Sequence, residues 1–384
     1  MKIGIIGKGK MGKDIFNLFF QFDNKIILIC RKFEDIEKET LSIQKQLKRM
    51  FKRGYMDAYM LEKKMQSFIV SNDIYALKNC ELVIESVFED KELKQDIFQR
   101  LDSIVNTKCI LASNTSSIPL NSIFEKCLTK DRCLGIHFFF PIKITRIVEI
   151  NKTRFTDQRY VEIVSELLIG MDKLPIELNE DTNMVLTQMI LTMIAHVYLI
   201  YEENYLSIEE IDKVLKDNLL TYGTFEVVDS IGINILTHCI DNLINDRNKK
   251  LYAPLRIKGE KATECGYHGG PGGKGLIAFE QEHPITYKKI GETELNEYKQ
   301  NIILSLESVI INELSYIITN RNVDKDLINV AIQEVFGLIE DPITILKRVG
   351  NQKIEASLLD SYQRFQDNIY KPFDLNVLMI NEFL

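Results

Sequence analysis

His137 and Glu149 stand twelve residues apart in the stretch IHFFFPIKITRIVEI. A histidine followed by an apolar segment that ends in a carboxylate has the parts of an oriented acid/base. The carboxylate accepts one ring N–H and fixes the tautomer, so the other nitrogen faces a substrate. The segment ASNTSS supplies hydroxyl groups upstream of the histidine. A base of near-neutral pKa, an orienting carboxylate and a hydroxyl are what proton transfer at a hydroxyl or carbonyl oxygen requires. The five histidines and seven cysteines show no metal-ligand spacing, so no metal is expected.

These residues need a rigid frame, and the first third of the chain reads as one. Lys2–Ile6 is a short apolar strand, followed by GKGKMG and an amphipathic helix. Gly7 permits a tight strand-to-helix turn, Gly9 lets backbone approach a pyrophosphate, and Gly12 lets the helix pack against the strand. Lys25–Cys30, Glu81–Val87, Lys108–Ser113 and Arg132–Phe139 read as further strands separated by helices. That alternation predicts a parallel, doubly wound α/β sheet of the Rossmann type, covered on both faces. The cofactor expected is NAD or NADP. The second strand ends in Cys30 where a ribose-binding carboxylate normally stands, and Arg31 and Lys32 follow, which tilts the expectation toward NADP.

A chain of 384 residues predicts two or three domains. With 27% charged and 45% hydrophobic residues it reads as soluble and globular. A net charge of -7 argues against general nucleic-acid binding. Seven cysteines without a CxxC pair fit reduced thiols. No signal peptide and no apolar run long enough to span a bilayer is apparent, so a cytoplasmic protein without a membrane partner is expected.

GKGKMG, ELVIESVFEDKELKQDIFQRLD, SNTSSI, GIHFFFP and RIVEI, in that order and spacing, resemble the 3-hydroxyacyl-CoA dehydrogenases, including the 3-hydroxybutyryl-CoA dehydrogenases of fatty acid metabolism. The resemblance implies that His137 is the base removing the proton of the 3-hydroxyl as hydride leaves C3. Glu149 would hold its imidazole, and Ser116 would hydrogen-bond the reacting oxygen. Glu89 and Lys94 match the family's cofactor-contacting acid and lysine. Two departures stand out. Phe140 precedes Pro141 where the family has asparagine, and Gln188 takes the place of an asparagine early in the second domain. Glutamine keeps the amide on a longer arm, a displacement of roughly an ångström in a preorganised site.

Lys45, Lys48, Arg49, Lys52 and Arg53 recur at helical spacing in the segment Ser42–Met65 and share a face. In the resembled family a helical hairpin here covers the CoA nucleotide. The basic face could meet CoA phosphates or the acidic surface of an acyl carrier protein.

Beyond about residue 181 the chain reads as helical and repetitive. SIEEID at Ser207–Asp212 and FEVVDSIG at Phe225–Gly232 reappear as DKDLIN and ITILKRVG at offsets of 117 and 118 residues. Two all-α domains are therefore expected, of the kind that follows the dinucleotide domain in 6-phosphogluconate dehydrogenase. Their bounds are set at 181–295 and 296–384, after a nucleotide domain at 1–180. GYHGGPGGKG, between the repeats, is a turn and not a phosphate loop, because Leu276 follows where Ser or Thr would bind magnesium. The second helical copy could cover the surface through which single-copy relatives pair, so a monomer, or a dimer not using that face, is expected. Three functions stay open: a short-chain 3-hydroxyacyl-CoA dehydrogenase, an enzyme acting on a hydroxyacyl carrier protein, or a cofactor-binding protein without catalysis.

Overall fold

Alternation along the first strands decides the layering. In β1 (Lys2–Ile6), Ile3 and Ile5 face one core and Ile6 the other; in β2 (Lys25–Ile29), Ile26 and Leu28 oppose Ile27 and Ile29 in the same way. Strands buried on both faces belong in a sheet covered by helices on both sides. The computed structural model describes residues 1–179, 184–270, 272–321 and 323–379. The chain divides into two compact units, Met1–Asp181 and Thr182–Leu384. The boundary expected at 180/181 lies outside the described residues.

The first unit continues with β3 (Phe68–Ser71), β4 (Leu82–Glu85), β5 (Ile110–Ser113), β6 (Cys133–Phe138), β7 (Ile147–Lys152) and β8 (Leu174–Leu178). They form one eight-stranded sheet, β3-β2-β1-β4-β5-β6-β7-β8. The first six strands pair in parallel, but β7 runs antiparallel to β6, and β8 parallel to β7. The five strands read from the sequence thus pair in parallel as expected, and the antiparallel β7 makes the complete sheet mixed. The connection from β6 to β7 is too short for the crossover that a parallel neighbour requires. Helices α1 (Lys10–Gln21), α2 (Glu34–Lys52), α3 (Ala58–Met65), α4 (Lys91–Ile104), α5 (Leu120–Ile123) and α6 (Gln158–Ile169) cover the sheet. Helix α1 buries Ile15, Phe16, Phe19 and Phe20, spaced to lie on one stripe.

The second unit is helical. Its first half holds α7 (Val185–Glu202), α8 (Ile208–Asn218), α9 (Thr224–Ile231), α10 (Ile233–Leu243), α11 (Lys249–Glu264) and α12 (Leu276–Glu282). The second half holds α13 (Glu292–Arg321), α14 (Lys325–Phe336), α15 (Pro342–Val349) and α16 (Asn351–Phe365). The expected 295/296 boundary falls in the first turn of α13. Helices α7 and α13 are long and apolar enough to cross a bilayer by length and composition, contrary to the reading of the sequence. In the most apolar 18-residue window of each, 78% and 72% of the residues are instead buried inside the protein, as in core helices.

The repeat is visible in the caps. Ser207 caps α8 and Asp324 caps α14 through their side chains. Asp212 accepts the backbone N–H of Phe225 at the start of α9, and Asn329 accepts that of Ile343 in α15. Gly232 (φ 98, ψ 134) and Gly350 (φ 87, ψ 146) each turn the chain directly from one helix into the next. At the meeting of the halves, Leu220 and Leu338 form an antiparallel bridge. Thr221 N donates to Gly337 O at 2.8 Å, and Ile339 N to Leu219 O at 3.0 Å. Equivalent residues bond reciprocally, which is the signature of a local pseudo-two-fold axis.

Candidate active site

The strand ends assemble the site. Ile6 is in register with Glu85, Glu85 with Ser113, and Ser113 with Gly135. The glycine loop after β1, the loop after β4, the NTSS turn after β5 and the end of β6 therefore leave the sheet along one carboxyl edge, where α/β sheets bind ligands.

His137 on β6 and Glu149 on β7 are direct cross-strand partners, and His137 Nδ1 lies 2.8 Å from Glu149 Oε2. His137 is 6% exposed and Glu149 fully buried. A carboxylate facing Nδ1 suits the ring tautomer with its hydrogen there, the one whose lone pair lies on Nε2. The Phe139 ring packs edge-on against the imidazole at 4.5 Å between centroids. Asn114 Oδ1 accepts the N–H of Phe138 at 3.0 Å and ties the NTSS turn to the histidine's strand.

Ser116 lies in that turn, and Glu89 organises it. Glu89 Oε1 accepts the backbone N–H groups of Ser116 and Ser117 at 2.9 and 3.1 Å and the Thr115 hydroxyl at 2.5 Å. Burial alone would raise the pKa of Glu89. The charge of Lys94 and these hydrogen bonds more than offset it, so the carboxyl sits below its ordinary range. Lys94, 1% exposed, bridges Glu85 at 2.7 Å and Glu89 at 3.2 Å. Glu85 also accepts from Ser113 Oγ and Val87 N, at 2.7 and 2.6 Å. Glu89 and Lys94 thus belong to a buried network under the serine turn. Glu85 was missed in the sequence, although a carboxylate inside the apolar run LVIES is a signal for it.

The glycine loop fits a dinucleotide pyrophosphate. Gly7 has φ +115, and a Cβ there would lie 2.2 Å from Ser86 O; at Gly12 it would lie 2.0 Å from Gly7 O. At Gly9 nothing stands within 4 Å, so that face of the loop is open. Gly9 caps α1 without a side chain, and the first turn carries no acidic residue, leaving the positive end of the helix dipole uncompensated. Cys30 is buried beyond β2, and burial, with Glu39 and Asp35 adding to it, pushes its thiol up to about 11. Arg31 and Lys32 are exposed. Asp35, also unanticipated, pairs with Lys8 at 2.8 Å.

Lys45, Lys48, Arg49 and Lys52 lie exposed on α2, opposite the buried Ile43 and Leu47. Gln188 belongs to the second unit, on α7, where its carbonyl accepts Tyr252 Oη at 3.1 Å. No His/Cys/Asp/Glu group suited to a metal occurs among the described residues.

Residues 2–182 match the family model of the 3-hydroxyacyl-CoA dehydrogenase NAD binding domain, and residues 184–278 that of the 3-hydroxyacyl-CoA dehydrogenase C-terminal domain. The chain belongs to the 3-hydroxyacyl-CoA dehydrogenase family. A 3-hydroxybutyryl-CoA dehydrogenase of Clostridioides difficile is 29% identical over 271 residues, covering 69% of this chain and 96% of the relative. The mitochondrial hydroxyacyl-coenzyme A dehydrogenase of Rattus norvegicus is 27% identical over 246 residues, covering 62% of this chain and 78% of the relative. The fold is that of an Escherichia coli 3-hydroxybutyryl-CoA dehydrogenase structure, with TM-score 0.81 and 18% identity over 99% of this chain and 98% of that one. This likeness extends past residue 278, where the match to the 3-hydroxyacyl-CoA dehydrogenase C-terminal model ends.

Proposed function

We propose that this protein interconverts a 3-hydroxyacyl thioester and its 3-oxoacyl counterpart, with a short-chain acyl-CoA as substrate. The observation carrying this reading is the His137–Glu149 pair at 2.8 Å, on the carboxyl edge of a sheet that opens with a dinucleotide loop. The nicotinamide, when bound, supplies the hydride acceptor or donor. His137 Nε2 takes the proton from the 3-hydroxyl in the oxidative direction and returns it to the oxygen in the reductive one. Glu149 holds the ring and stabilises its cationic form, and Ser116 donates to the reacting oxygen. Gly7, Gly9, Gly12 and the start of α1 hold the pyrophosphate.

The cofactor proposed is NADP(H) ahead of NAD(H). Arg31 and Lys32 offer cationic partners to a 2′-phosphate, and Lys8 offsets the charge of Asp35 at 2.8 Å. The exposed basic face of α2 supports an anionic carrier, and leaves an acyl carrier protein thioester as a second reading. The test follows reduced-cofactor absorbance with acetoacetyl-CoA, comparing NADPH with NADH. Oxidation supports the CoA reading, and faster NADH oxidation would reverse the cofactor order. Inertness toward acetoacetyl-CoA with cofactor bound would move the substrate to the carrier protein.

A further inference from the structure

Three lysines flank the glycine loop, and they are held in different ways. Lys8 Nζ lies 2.8 Å from Asp35, and Lys13 Nζ 2.8 Å from Glu39. Those contacts neutralise the charges they fix. Lys10, the first residue of α1, has no carboxylate at salt-bridge distance among the described residues. Its Nζ instead sits 3.4 Å from the centroid of the Phe140 ring. An aromatic face holds a cation through its quadrupole and leaves the charge uncancelled. Phe140 is 44% exposed and follows the strand of His137 by two residues. The contact therefore joins the phosphate-binding loop to the end of the catalytic strand.

Among the described residues Lys10 makes no salt bridge, although Asp14 follows it one turn along α1. The first turn of α1 has no acidic residue, its cap Gly9 offers no side chain, and the space beside Gly9 is open. We propose that Lys10 binds the dinucleotide pyrophosphate and that the ring of Phe140 is the positioning residue that holds its ammonium there. This rests on the dinucleotide reading above. It gives Phe140 and Lys10 a joint role, and with it a use for an aromatic ring before Pro141. NADH and NADPH share the pyrophosphate, so both should respond alike.

The test is equilibrium binding of NADH and NADPH, read by cofactor fluorescence without substrate, to the full chain. Lys10 is exposed, so K10M removes the charge without disturbing a core. K10M is expected to weaken both cofactors by about tenfold, the scale of one charge-assisted contact. F140L should weaken them by about threefold, and F140Y, which keeps the ring face, should bind like the parent. In the K10M background F140L should add nothing. Parent-like binding by K10M would overturn the inference, as would an F140L effect of equal size with and without Lys10. A parent protein that binds neither cofactor would sink the dinucleotide reading itself, and this inference with it.

Discussion

The imidazole of His137 and the carboxylate of Glu149 meet because their strands are antiparallel, with the two residues in direct register and 2.8 Å between Nδ1 and Oε2. A parallel neighbour would stagger the pairing. The reversal of β7 thus places the Glu149 carboxylate directly opposite the His137 imidazole.

E149Q keeps the shape and removes the obligatory acceptor. Its amide can donate to Nδ1 and turn the ring to the wrong tautomer. Turnover should fall by about 10²–10⁴-fold, the usual worth of general acid–base catalysis, with cofactor affinity retained. H137Q should give a similar loss. Single-turnover kinetics with cofactor titration separate the two quantities, and unchanged turnover in H137Q would remove His137 from the mechanism.

Glu89 makes the serine turn sensitive to acid. Its folded pKa lies below the ordinary 4.5, so its stabilising contribution is complete above that value and is lost as pH falls through the folded pKa. E89Q should lower stability near neutrality by about 1–3 kcal/mol and weaken the acid limb of the stability profile. Thermal melts from pH 3 to 7 check both, and an unchanged acid limb in E89Q would assign that limb to other carboxyls.

Asp212 has the opposite sign. Burial raises its carboxyl from 3.8 to about 6, against the hydrogen bonds from Phe225 and Glu226. A carboxyl that is a weaker acid folded than unfolded takes up a proton on folding between those values. Its contribution is therefore fully present at low pH and is lost as pH rises through about 6. Asn329 fills the equivalent cap without a titrating group. D212N should flatten the dependence of Tm on pH between 4 and 6, and an unaltered slope would refute the assignment.

Gly232 and Gly350 adopt backbone angles that disfavour L side chains. At Gly350 an added Cβ meets nothing within 4 Å, whereas at Gly232 it meets His268 O at 3.4 Å. G350A should therefore cost about 1–3 kcal/mol from backbone strain alone, and G232A at least as much. Denaturant titration measures both, and a stable G350A would show that the helix junction can relax.

The legible parts of the sequence were those with local causes. Gly7 turns through a positive φ, and a Cβ on Gly12 would lie 2.0 Å from Gly7 O, so the loop could be read from spacing. The repeated caps were readable for the same reason. Glu85 was not, because its partners Lys94 and Ser113 come from two other elements. Nor was the Lys10–Phe140 contact, which spans 130 residues of chain. The reversal of β7 escaped because apolar strands carry no mark of direction, and β3 because its short run sits behind a helical hairpin.

The bridge between Leu220 and Leu338 joins two positions of one chain. On a two-fold axis between separate molecules, a residue must face its own copy, and every substitution enters the contact twice. Within one chain the partners are independent positions, and each change enters once. The halves are thus released from remaining alike, and they have used that freedom. One keeps a carboxylate at Asp212 where the other has the amide of Asn329, and the glycine-rich turn around Gly269, between α11 and α12, belongs to the first half alone.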